Sequence, residues 1–104
     1  MRTTDIGTGS IADRANAVAM TLQACPTLAA VESHYSQVTR ALDALAERIA
    51  AARRRGSVPM PVAPSLRWLD AVVRESPALD GADGEVLRAE LRAAIARLRL
   101  LAGR

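Results

Sequence analysis

The chain has 104 residues, 14 of them basic and 11 acidic, with one His, one Cys and only two aromatic residues, Tyr35 and Trp68. One domain of this length buries roughly two-thirds of its unfolded surface, and the 50% hydrophobic content excludes a disordered charged tail. A lone Cys excludes an intrachain disulfide framework and a Cys/His zinc cluster, and no apolar run approaches the roughly 20 residues that cross a bilayer.

The isoelectric point near 10.4 looks like that of a nucleic-acid binder, yet the formal charge is only +3. All the basic residues are Arg, which stays protonated far above pH 10, so a small excess raises the isoelectric point strongly. Neither half of the chain is a basic arm: seven Arg face five acids before Gly56, and seven face six after it. The Ala-rich, Lys-free composition is what a GC-rich bacterial or phage genome produces. The opening MRTTDIGTGS carries Asp5 and no apolar block. No secretory leader is expected, and the chain reads as cytoplasmic.

Residues 1–9 read as a flexible start to a single domain spanning 1–104. Ser10 then caps a first helix, with Asp13 at capping-box spacing. Its apolar positions are Ile11, Ala15, Val18, Leu22 and Cys25. Pro26 restarts the chain as a second helix, expected over 26–55. Leu28, Val31, Tyr35, Val38, Leu42, Leu45, Ile49 and Ala52 are spaced alternately by three and four, an unbroken heptad seam. Arg53, Arg54 and Arg55 fill the last turn, and Gly56 stops the helix.

Residues 57–64 carry three prolines and read as an extended connector. Ser65 is the expected cap of a short third helix with Leu66, Trp68, Leu69, Val72 and Val73 on its broad apolar face, ended by Ser76-Pro77. Asp83 is the expected cap of a fourth helix reaching about Ala102, with a core stripe of Leu87, Leu91, Ala94, Leu98 and Leu101. Opposite that stripe lie Ala89, Ala93, Ala96 and Leu100, where a surface helix is ordinarily charged. Arg88, Arg92 and Arg99 follow one edge of the stripe and Arg97 the other. The fold class is therefore all-α: a small bundle of about four helices around the long second one. The first helix is expected against the second helix's N-terminal half, with the third and fourth packing back along it.

No residue set carries catalysis. His34 has no carboxylate one helical turn away, and Ser33 points in another direction. Cys25 reads as a small buried apolar residue with no nearby cation. Asp80 to Glu85 lacks the ordered oxygen ligands of a calcium loop, and a turn followed by an acidic helix start accounts for it. Gly7-Thr8-Gly9-Ser10 lacks the flanking strand and Gly-Lys of a phosphate loop. Asp43 and Glu47 share a face with Arg40, as on a solvated helix. Neither a cofactor nor a metal is expected.

The expected function is a non-enzymatic protein–protein interaction module, an adaptor, assembly factor, small chaperone or regulatory subunit, acting through helix–helix packing. The candidate surface is Ala89, Ala93, Ala96 and Leu100 with the Arg88, Arg92 and Arg99 edge, together with a strip of seam near Ile49 that the shorter helices leave uncovered. The expected partner is another protein or a second copy of the chain, with a homodimer as the simplest form. The alternative is a dimeric regulator touching nucleic-acid phosphates through Arg53, Arg54 and Arg55. An interfacial membrane helix explains the last segment less well, because the same leucines are needed for a core.

Overall fold

The described part of the structure, a computed structural model, comprises residues 10–56 and 62–102. The elements are α1 (Ile11–Gln23), α2 (Leu28–Arg54), α3 (Ala63–Glu75), a 3-10 turn (Pro77–Leu79) and α4 (Ala82–Ala102). No strand occurs among the described residues, and the fold is a small all-α bundle, as expected. The expected flexible start, its Gly7-Thr8-Gly9 loop and residues 57–61 of the expected connector lie outside the described residues.

Local chemistry sets most helix ends. At α1 the Ser10 hydroxyl accepts from the Asp13 N–H at 3.1 Å, and the Asp13 carboxylate accepts from the Ser10 N–H at 3.3 Å, a complete capping box. The second helix begins two residues later than expected, because Thr27 supplies the capping oxygen, taking the Ala30 N–H at 3.2 Å. Gly56 follows α2 with φ +71°, the left-handed conformation of a helix stop.

Two expected caps are displaced. Ala63 and Pro64 belong to α3 rather than to a connector, and Ser65 lies inside the helix. Proline costs nothing there, since a first-turn N–H has no helical partner anyway. Asp83 is likewise a first-turn residue of α4 rather than its cap; with Glu85 it places negative charge at the positive end of the helix dipole. Gly81, at φ +104°, turns the chain just before α4. Gly84 is buried against the Leu79 backbone, where a Cβ would run into the Leu79 carbonyl.

The core is built on the α2 seam: Val31, Val38, Leu42, Leu45, Ile49 and Ala52 are buried, with Leu28 and Tyr35 partly so. Val18 and Leu22 of α1, Leu66, Leu69 and Val73 of α3, and Leu91, Ile95 and Leu98 of α4 join Val31, Val38, Leu42, Leu45 and Ile49 in one cluster. Each helix has two principal neighbours, in the ring order α1, α2, α4, α3. The third helix therefore lies diagonal to α2, held chiefly between α1 and α4 instead of running back along the long helix. The 27 residues of α2, about 40 Å of helix, account for the longest dimension of 42 Å. Ile49 has no exposed surface. With α1 on one side of α2 and α4 on the other, one chain closes the seam, and the expected uncovered strip near Ile49 does not exist.

Candidate functional site

The fourth helix divides cleanly into two faces. Leu91, Ile95 and Leu98 point into the core and are buried. On the opposite side Ala89, Ala93 and Ala96 are exposed, and two large apolar residues bracket them: Val86 is 57% exposed and Leu100 78%. Val86, Ala89, Ala93, Ala96 and Leu100 are spaced three, four, three and four. This is a second heptad-like stripe on a helix whose first stripe is already buried. Sequence reasoning found four of these residues and missed Val86, although it continues the same spacing one step towards the N-terminus.

The arginines flanking the stripe have different jobs. Arg88 is buried and points away from the outer face. Its guanidinium donates to the carbonyls of Val73 (3.0 Å), Arg74 (2.7 Å) and Ser76 (3.3 Å), where α3 runs out of helical partners. It also meets Asp80 at 2.7 Å and Glu85 at 3.1 Å. The hydrogen bond that Arg88 donates to Glu85 does most to hold it protonated beyond its ordinary range; burial opposes this, and Asp80 adds to it. Arg88 is thus a structural clamp, and its expected place on the interface edge is corrected.

Arg92 is half-exposed, and its guanidinium forks onto both oxygens of Asp70 at 3.1 and 3.3 Å. Arg74 reaches the same carboxylate at 3.3 Å. Asp70 is buried on α3, in the apolar stripe between Leu66 and Val73. Sequence reasoning passed over it, yet an acid inside an apolar stripe signals a paired buried carboxylate. Arg97 and Arg99 are exposed and make no ion pair with another described residue. Arg99 and Leu100 border a groove of about 500 Å³ between the start of α3 and the end of α4, lined also by Ala63, Leu66, Arg67 and Ala96.

Two more contacts fasten α4 to α2. The Tyr35 hydroxyl donates to Glu90 at 2.6 Å, and the Arg53 guanidinium donates to the Leu101 carbonyl at 2.9 Å. Burial first, then the hydrogen bond and charge of Glu90, push the Tyr35 phenol up to about 12. Arg53, Arg54 and Arg55 are all exposed, and Arg53 makes its contact with the end of α4 at the surface.

The structure also brings Cys25 near His34, at 4.0 Å between Sγ and Nδ1. The nearest partner of that nitrogen is the Ala30 carbonyl at 2.9 Å, which can only accept, so Nδ1 carries its proton towards Ala30. The Ser33 hydroxyl, expected to point in another direction, lies 3.3 Å from the same nitrogen and itself donates to the Ala30 carbonyl at 3.0 Å. The thiol donates to the Thr21 carbonyl at 3.3 Å. With Nδ1 protonated, this nitrogen is no base for the thiol. Among the described residues no group of three or more His, Cys, Asp or Glu is placed to hold a metal ion, and no helix is long and apolar enough to cross a membrane.

No protein-family model matches this chain, and neither the curated proteins nor the solved structures include one with significant similarity to it.

Proposed function

We propose that the chain is a non-enzymatic, cytoplasmic interaction module that docks a partner helix on the outer face of α4. The observation that supports this reading is the exposed stripe Val86, Ala89, Ala93, Ala96 and Leu100. Helix propensity alone accounts for the alanines, since Ala is the best helix former. It does not account for Val86, a poorer helix former, nor for an exposed Leu100 in register with it. Small residues at the centre let another helix backbone approach closely, and the larger apolar residues at the two ends add buried area.

Phosphate contact through Arg53 to Arg55 has less support. Arg53, though exposed, is engaged with Leu101 at the surface, and Arg54 and Arg55 are exposed beside it.

The test is site-specific photo-crosslinking in the cells that make the protein. A photoreactive residue at position 93 is compared with one at the exposed position 37 of α2. A discrete crosslinked species from position 93 and none from position 37 is the expected outcome. No crosslink from any of positions 86, 89, 93, 96 and 100 would overturn the reading.

A further inference from the structure

The outer face of α4 has an order of charge that narrows what can dock there. Asp83, Glu85 and Glu90 lie in its first half, and Arg92, Arg97 and Arg99 in its second. At 100° per residue, Glu90 and Arg97 fall on one edge of the stripe, while Glu85 and Arg99 fall on the other. The apolar residues are nearly palindromic: Val86 and Leu100 each lie seven residues from Ala93, with Ala89 and Ala96 between.

We infer that the occupant of this face is a second copy of the same chain, with the two α4 helices paired antiparallel about a two-fold axis near Ala93. This rests on the reading of the face as a helix-docking surface. A symmetric dimer needs a self-complementary patch. Antiparallel pairing meets that need, because it sets Val86 of one chain against Leu100 of the other at both ends, and Glu90 beside Arg97 twice. Parallel pairing fails it, since opposite edges then meet, setting Glu85 of one chain beside Glu90 of the other and Arg92 beside Arg97, and like charges disfavour such a contact. Arg92 falls near the axis in both copies, but its charge is already matched by Asp70 within each chain. Arg97 and Arg99, with no ion pair to a described residue, are available to the second copy. One helix pair is a small interface, so reversible association in the micromolar range is expected.

Sedimentation equilibrium on the full chain tests this. The wild type should pass from monomer to dimer across micromolar concentrations. Ala93→Arg, at an exposed position that leaves helicity intact, should abolish the dimer. Arg97→Glu, which leaves the Tyr35–Glu90 hydrogen bond in place, should weaken it about tenfold. Orientation is read from disulfides: Val86→Cys should crosslink with Leu100→Cys rather than with itself. A wild type that stays monomeric at every concentration, a dimer indifferent to Ala93→Arg, or Val86→Cys self-crosslinking overturns the inference. A monomeric chain that still crosslinks from position 93 to another protein would refute self-pairing alone. Loss of all crosslinks refutes the docking face itself.

Discussion

Replacing Arg88 by Met removes one guanidinium and leaves an aliphatic stem of similar reach, so the packing of the side chain is largely kept. Three carbonyls at the end of α3, those of Val73, Arg74 and Ser76, then lose their donor. Each such bond contributes about 1 kcal/mol net, and more where water cannot replace the donor, as at the buried contact with Val73. The ion pairs add little by comparison. The side chains of Asp80 and Glu85 are 72% and 58% exposed, and water takes over once the cation is gone. The expected cost is therefore about 3 kcal/mol, which lowers the melting temperature of a domain this size by roughly 12–20 °C. Urea unfolding followed by the fluorescence of Trp68, the sole Trp and itself on α3, measures this directly. Arg97→Met, on the exposed face, is the control and should shift stability by less than about 0.5 kcal/mol. High salt separates the two contributions: a loss carried by carbonyls persists, whereas one carried by ion pairs shrinks. An Arg88→Met protein as stable as the control would refute the clamp.

Gly84→Ala should destabilise by about 1–3 kcal/mol in the same assay, because the new Cβ meets the Leu79 backbone, which cannot move aside as a side chain would. Unchanged stability would mean that the 3-10 turn does not hold its place against α4. Tyr35, the sole Tyr, should titrate by phenolate absorbance near 12. Its folded value lies above the unfolded value of about 10, so the stabilisation it brings is complete below pH 10 and is lost as the pH rises through 12. The chain has no Lys to blur that window. A midpoint at the ordinary value would place Tyr35 out of contact with Glu90.

The long α2 seam was legible because seven alternating steps of three and four repeat without interruption, and any burial at all must then follow that face. The Ser10 cap was legible for a similar reason, since its partner Asp13 is three residues away. What failed was non-local. Nothing in the order of the helices says that α3 sits between α1 and α4, since the packing of a face is decided by which other faces remain to be covered. The same gap hid Arg88. On a helical wheel it is an edge residue, and only the arrival of the α3 carbonyls fifteen, fourteen and twelve residues earlier in the chain turns it inward. Ser65 misled because a hydroxyl before an apolar run is the usual sign of a cap, while Pro64 fits a first turn equally well.

These non-local contacts bear on the outer face as well. Four separate links hold α4 from the inside: Arg88 to the end of α3, Arg92 to Asp70, Glu90 to Tyr35, and the Leu101 carbonyl to Arg53. They are spread from the second turn of the helix to its last. A helix held at both ends and in its middle has little backbone freedom left to lose when another helix lies against it. Its outer side chains are also mostly Ala, which lose no rotamer entropy on burial. Both circumstances lower the cost of docking on this face, and neither benefits the lone exposed Met20 on α1 or Trp68 on α3 in the same way. The separation has a consequence for experiments. Weakening a link from within, as Arg88→Met does, should loosen α4 and reduce association through the outer face without altering one of its atoms. Ala93→Arg should remove association while leaving the unfolding midpoint of the monomer where it was.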